Sequence, residues 1–218
     1  MYNKYLLKYI KYILYGGVYK RLIKNENNKL YYFPQVDYTK LKYDEEGLYS
    51  ITHHIDASKI SKLILKNYKN KNNITILDGT GGLGGNTINF SKYFSNVTCI
   101  ELNKNRYNML IYNIKLYKLT NVKILNCDSV EFLFKYYNKY NIYFFDPPWG
   151  GPNYKTLKNI SLNLGTYSLL DITSFLKINT TNKLLVFKLP YNYNFNEFIN
   201  YKYKLYKIKN YYIIIIIL

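Results

Sequence analysis

Residues 74–87 read Ile-Thr-Ile-Leu-Asp-Gly-Thr-Gly-Gly-Leu-Gly-Gly-Asn-Thr, a short β-branched run that stops at an acid and opens into glycines. Gly79, Gly81 and Gly84 satisfy the spacing GxGxxG. Glycines lower the steric cost of positive φ and let a ligand approach the backbone where a Cβ would stand in the way. The pattern is weak by itself. A strand before it and a helix after it make it a credible site for a nucleotide or nucleoside.

Downstream, apolar runs alternate with helical stretches, which is the sequence signature of a parallel α/β sheet. Strands are expected at residues 74–77, 97–100, 122–125, 142–145 and 184–187, with a final hairpin of 203–208 and 211–217 around Lys209-Asn210. The first four runs end beside Asp78, Glu101, Asn126 and Asp146. In open α/β sheets the ligand lies beyond the carboxyl ends of the strands, so chemistry is expected there. Tyr107, Leu110, Ile111, Ile114 and Tyr117 recur at helical spacing and predict a helix over 103–119; a second is expected over 57–67. Asp128 followed by Glu131 resembles a capping box that opens a third, through about residue 138.

Length and composition bound the rest. The 218 residues suit one domain. No repeat or Pro-rich linker divides the chain; residues 1–50 lack the alternation and are expected to be an extension capping the active site, with the catalytic domain over 51–218. Lys and Arg number 31 against 13 Asp and Glu, a net charge of +18, which favours phosphate-rich partners. The chain is rich in Lys, Asn, Ile and Tyr throughout, as an AT-rich coding sequence would produce, so the charge carries about half its face weight. Cys99 and Cys127 make neither a CxxC pair nor part of a metal cluster, and no metal is expected. Residues 1–14 form a basic, amphipathic stretch that is read as a packing helix or RNA-facing arm, and the terminal isoleucine run is far below the roughly 20 residues of a membrane span. An intracellular location without stable membrane insertion is expected, in nucleus or cytoplasm.

The acids narrow the ligand. Glu101, 17 residues past Gly84, can accept hydrogen bonds from both hydroxyls of a ribose. Asp78 at the mouth of the loop would repel a diphosphate but would pair with the cationic methionine end of S-adenosylmethionine, so that cofactor is favoured over a dinucleotide. Asp128 is placed equally well to accept from an adenine amino group or to cap a helix.

After the fourth strand comes Asp146-Pro147-Pro148-Trp149-Gly150-Gly151-Pro152-Asn153-Tyr154. The diproline fixes the backbone so that the Asp146 carboxylate and the Pro147 carbonyl can grip the two N–H bonds of an exocyclic amine. Trp149 would offer a flat surface to the base, with added cation–π attraction if that base is a 7-methylguanine.

Three blocks closely resemble the trimethylguanosine synthase family, which methylates the 2-amino group of 7-methylguanosine caps. DEEGLYSIT at residues 44–52 is similar to the family's DxEGWFSVT, DGTGGLGGNTINFS at 78–91 to its glycine loop, and the segment 146–154 to its (S/D)PPWGGPxY loop. VFKLPYN at 186–192 is similar, more weakly, to a family strand ending in LPRN. The resemblance runs from about residue 30 to the end. It implies a Rossmann-like class I S-adenosylmethionine-dependent methyltransferase, a seven-stranded mostly parallel sheet with helices on both faces. It implies cofactor contacts from Thr52, Asp78, Gly79, Gly81, Glu101 and Asp128, a grip on the amine from Asp146 and Pro147, and a cap guanine stacked on Trp149 opposite Tyr49, with Pro148 beside it. Capped RNA is the implied partner, with RNA-processing or capping proteins as further candidates.

The chain departs from the family at Leu48, at His53-His54 and at Tyr191, where the family has Trp, Pro-Glu and an Arg that meets cap phosphates. Lys188 or the N-terminal lysines are expected to take the phosphates instead. Two other readings stay open: methylation of another exocyclic amine in RNA or DNA, and a cap- or RNA-binding subunit that keeps the fold without catalysis.

Overall fold

The computed structural model describes residues 33–218, and the statements below concern those residues. The basic stretch at 1–14 and the N-terminal lysines lie outside them. Strands β1 (Thr75–Asp78), β2 (Asn96–Ile100), β3 (Val122–Leu125), β4 (Ile142–Phe145) and β7 (Leu184–Pro190) run parallel, and the hairpin β8 (Tyr203–Ile208) and β9 (Tyr211–Ile217) completes a seven-stranded sheet in the order β3-β2-β1-β4-β7-β9-β8. From β1 the chain proceeds outward through β2 and β3, then returns to place β4 on the other flank of β1. The β1/β4 boundary is therefore the topological switch point, where an α/β sheet leaves a crevice for a ligand.

Both faces are covered. Ile60 and Ile64 of α2 (His54–Asn67) and Phe90 of α3 (Gly85–Phe90) pack on Ile76, Val97, Ile142 and Phe144. On the same face, Leu110 and Ile114 of α4 (Lys104–Leu116) enclose Cys99 and Leu83. On the opposite face, Val130 and Leu133 of α5 (Ser129–Tyr136) and Leu169, Ile172 and Leu176 of α6 (Leu169–Asn179) pack on Leu77, Ile100, Tyr143 and Phe145. The isoleucine run belongs to β9, hydrogen-bonded on both sides: Ile213 and Ile215 face one core and Ile214 and Ile216 the other. A strand buried on both faces needs no polar alternation. Among the described residues no helix is long and apolar enough to cross a membrane.

The expected elements form with small shifts at their ends. The helix expected over 103–119 is shorter, because Asn103 caps it and Tyr117 ends it before Lys118 turns to φ +53°. The helix expected from 57 begins at His54. The capping box expected at Asp128 forms only half: Asp128 accepts from the N–H groups of Val130 and Glu131, whereas the Glu131 side chain faces the Tyr167 hydroxyl. A reciprocal box forms instead at Ser168 and Asp171, opening α6, which follows a short hairpin of β5 (Asn163–Leu164) and β6 (Tyr167–Ser168). Neither α6 nor that hairpin was expected.

Residues 33–52 dock on the first half of the sheet domain. Arg106 of α4 pairs with Asp44 at 2.9 Å and Glu46 at 2.7 Å. Asn113 donates to the carbonyls of Lys42 and Leu83, tying this segment to the glycine loop. The short helix α1 (Glu45–Ser50) is capped by Asp44 and lays Gly47 so close to Leu83 that a Cβ would stand 2.7 Å from Leu83 Cγ.

Candidate active site

The carboxyl end of β1 places Asp78 in complete burial beneath the glycine loop. Its Oδ2 accepts from the Thr87 hydroxyl at 2.6 Å, and its Oδ1 from the Thr80 N–H at 3.3 Å. Burial pushes its carboxyl up to about 7; the two hydrogen bonds oppose this, and the nearby negative charges of Asp146 and Glu101 add to it. Asp78 and Glu101 thus share one field in a chain that is strongly basic as a whole, without a cation paired to either among the described residues, an arrangement that suits a cationic ligand.

Glu101, just past β2, closes the loop's other flank: Oε2 accepts from Gly82 N–H at 2.8 Å and Oε1 from Asn103 N–H at 2.9 Å. Each oxygen retains a lone pair for a second donor. The glycines do different work from one another. Gly79 and Gly81 let the loop lie on the sheet, since a Cβ would run into the Phe145 ring at the first and the Cys99 sulfur at the second. Gly84 has φ +100° and turns the chain into α3.

Thr52 is buried, and its hydroxyl accepts from Asn86 Nδ2 at 3.1 Å. A Cβ on Gly85 would stand 2.7 Å from the Thr52 carbonyl, so the segment carrying Thr52 packs backbone to backbone on the start of α3. Asp128 caps α5 through Oδ1 alone, at 2.7 and 3.0 Å, which leaves Oδ2 outside the cap. Both halves of its expected duality are compatible with that geometry.

Asp146 follows β4, directly across the switch point from Asp78. Its N–H donates to Thr80 Oγ1 at 2.7 Å. Pro147 is buried and Pro148 exposed. Gly150 and Gly151 take φ +85° and +70°, two left-handed residues in succession, which explains a diglycine at the point where the loop enters the 3-10 turn Gly151–Thr156. Trp149 is half-buried. Its Nε1–H donates to the Lys188 carbonyl at 3.3 Å, and its ring meets Tyr154 edge-on at 5.2 Å and Tyr211 at 6.3 Å. Tyr49, expected opposite it, lies half-buried in α1 and is not among those ring partners.

Lys188 is buried on β7, its Nζ 2.5 Å from Asp146 Oδ2 and 5.1 Å from the centroids of both the Trp149 and Tyr211 rings. Burial raises the Asp146 carboxyl, and the Lys188 charge and hydrogen bond pull it part of the way back. Position 191, where a family Arg was missed, carries an exposed tyrosine whose hydroxyl donates to the Lys155 carbonyl at 3.1 Å. Burial, with Lys209 adding to it, drives the His53 imidazole down to about 4. Among the described residues no three His, Cys, Asp or Glu side chains gather as a metal site.

Several participants had no local signal. Thr80 and Thr87 lie inside the glycine loop without standing out from it, and the Lys188–Asp146 pair joins residues 42 apart.

Known proteins similar to this chain identify its family. The family described as RNA cap guanine-N2 methyltransferase matches residues 73–216. An uncharacterised protein of Acanthamoeba polyphaga mimivirus is 36% identical over 190 residues, 76% of this chain and 74% of that protein. The trimethylguanosine synthase of Schizosaccharomyces pombe is 30% identical over 161 residues, 70% of this chain and 64% of its own length. Among solved structures, the precorrin-6y C5,15-methyltransferase of Geobacter metallireducens GS-15 superposes with a TM-score of 0.58 at 12% identity, over 82% of this chain and 94% of that one, a likeness of fold. This chain is thus a class I S-adenosylmethionine-dependent methyltransferase, and it belongs to the RNA cap guanine-N2 methyltransferase family.

Proposed function

We propose that this protein transfers a methyl group from S-adenosylmethionine to the exocyclic 2-amino group of a 7-methylguanosine RNA cap. The observation that carries the reading is the pairing of two loops across the switch point: a buried acid under a glycine loop on one side, and Asp146, Pro147 and a half-buried indole on the other, joined by the Asp146–Thr80 hydrogen bond.

The residues fit the cofactor. The charge of Asp78, a carboxyl raised by burial and by neighbouring acids, would be stabilised by a cation brought against the loop that covers it, and the methionine end of S-adenosylmethionine brings an ammonium and a sulfonium. Bound there, the cofactor supplies an electrophilic methyl group. Glu101 would accept from the ribose, Asp128 Oδ2 from the adenine amine, and Thr52, Gly79 and Gly81 would line the pocket. Residues 33–50 would serve as its cover, with the catalytic domain beginning near residue 51.

Asp146 and the Pro147 carbonyl would hold the two N–H bonds of the acceptor. That grip turns the nitrogen lone pair out of conjugation with the purine and toward the methyl, which is catalysis chiefly by orientation. Trp149 would stack on the purine, with Pro148 at its rim and Tyr49 toward the opposite side. Because Lys188 is engaged with Asp146, exposed lysines such as Lys155 are better suited to the cap phosphates. Capped RNA would be the partner.

Radiolabelled methyl transfer to 7-methylguanosine triphosphate, with mass analysis of the product, tests the reading. Label on the nucleotide, one or two methyl groups per base, is the expected result. Label that enters other RNA or DNA but not this nucleotide would assign the enzyme to another exocyclic amine. Cap binding with no transfer would leave a binding subunit.

A further inference from the structure

We infer that Lys188 is a positioning residue for methyl transfer: wedged between Trp149 and Tyr211, its ammonium ion holds one oxygen of Asp146, keeps that acid ionised, and leaves Oδ1 as the acceptor for the substrate amine. This rests on the proposed role of Asp146, and it gives Lys188 a task different from phosphate binding.

The geometry is particular. Lys188 is 6% exposed, so its charge cannot be left to solvent, and a buried ammonium needs both a counter-ion and a polarisable lining. Asp146 Oδ2 at 2.5 Å provides the first, and two aromatic faces at 5.1 Å provide the second. The wedge also couples the two halves of the acceptor site: the Lys188 carbonyl accepts from Trp149 Nε1 while its ammonium fixes Asp146. One residue of β7 therefore sets both the indole and the carboxylate.

The chemistry gives the charge a purpose. The amine nitrogen forms the new N–C bond with its lone pair as the C–S bond breaks and leaves its pair on sulfur. The nitrogen then carries one proton too many, which passes to Asp146 or through it to water. Asp146 can receive that proton only as a carboxylate, and as a carboxylate it is also the stronger acceptor for the amine. Its surroundings oppose ionisation, since its side chain is only 15% exposed, and its charge lies close enough to Asp78 to raise that acid as well. Thr80 from the glycine loop and Tyr211 from β9 bring no charge; His53, close enough to feel the charges of both Lys188 and Lys209, is neutral above about pH 4, and the Lys209 ammonium is paired with Asp56 at 2.6 Å. Among the described residues, Lys188 is the cation in contact with Asp146.

The test compares wild type with Lys188→Gln, Lys188→Met and Lys188→Arg in the full chain. The carboxyl carbon resonance of Asp146, assigned with Asp146→Asn, is followed against pH in substrate-free protein. The midpoint is expected to rise by about 1 to 3 units in the Gln and Met variants and to stay near wild type in the Arg variant. The acid limb of kcat should move with it. Binding of S-adenosylhomocysteine by calorimetry shows that each variant is folded; if Met is not tolerated, Gln keeps a hydrogen bond and removes only the charge. An unchanged midpoint in the Gln variant, or an Arg variant as impaired as Gln, overturns the inference. Absence of cap methylation by wild type would sink the proposed function instead, while the carboxyl titration would still decide the role of Lys188.

Discussion

The N–H of Asp146 donates to the hydroxyl of Thr80 across the β1/β4 boundary at 2.7 Å, so the loop that would hold the acceptor is fastened to the loop that would hold the donor. Methyl transfer depends on holding nucleophile and electrophile in line, and a displacement of about 1 Å can cost on the order of a hundredfold in rate.

Removing that fastening should therefore lower turnover more than binding. Thr80→Val is expected to reduce kcat roughly tenfold, the worth of one buried hydrogen bond, with S-adenosylhomocysteine affinity within about twofold of wild type. Thr80→Ser should restore the rate. Steady-state kinetics and calorimetry on the three proteins check this.

Asp78 makes stability and function oppose one another. Its carboxyl stands near 7 in the fold against an ordinary value of 3.8, so the proton is bound more tightly folded than unfolded. That contribution to stability is complete below about pH 4 and is lost as pH rises through about 7. Unfolding by urea at a series of pH values should show ligand-free wild type losing stability across this window. Asp78→Asn should flatten the slope, gain on the order of 1 to 3 kcal/mol at pH 8, and bind the cofactor far more weakly. Cofactor affinity of the wild type should run the other way, falling as pH drops below about 7.

Trp149 is the chain's single tryptophan, so its fluorescence reports on the acceptor site alone. Stacking predicts a change in emission when 7-methylguanosine triphosphate is added to wild type. Trp149→Ala should lose roughly ten- to a hundredfold in kcat/KM for the cap while retaining S-adenosylhomocysteine affinity. Loss of both affinities would make the indole a packing element.

Arg106 latches residues 44–46 to α4 through two carboxylates. If the segment through Thr52 forms a wall of the cofactor pocket, Arg106→Ala should weaken cofactor binding about fivefold through loosening of that wall, a loss of about 1 kcal/mol. Calorimetry with S-adenosylhomocysteine measures it; an unchanged affinity would separate the segment from the pocket.

The sheet was legible because its strands differ in kind from everything between them. Runs such as Tyr143-Phe144-Phe145 and the β9 isoleucines are apolar at every position, as strands buried on both faces must be. The acids at their ends were legible for the same reason, since an acid beside a buried run stands out. What escaped was α6 and its hairpin. The signature that opens it, Ser168 with Asp171, is as short as the one read at Asp128, and only tertiary contacts decide which of two such signatures closes into a reciprocal box.

Pairs distant in sequence escaped as well. Lys188 is read as a phosphate ligand because it lies near Tyr191, which replaces the family Arg; nothing in the sequence near it announces that β7 lies beside β4 in a register that sets it against Asp146. The glycines were legible as a set but not by role. Gly79 and Gly81 are required by Phe145 and Cys99, which belong to other strands, and only Gly84 of the three takes a left-handed conformation.

The most direct test of the cap assignment compares two substrates that differ by a single methyl group. With labelled S-adenosylmethionine, a cap dinucleotide carrying the 7-methyl group should be methylated on its 2-amine, and the same dinucleotide without it should be methylated far more slowly. Equal rates on both would exclude the 7-methylguanosine cap as the group this enzyme recognises.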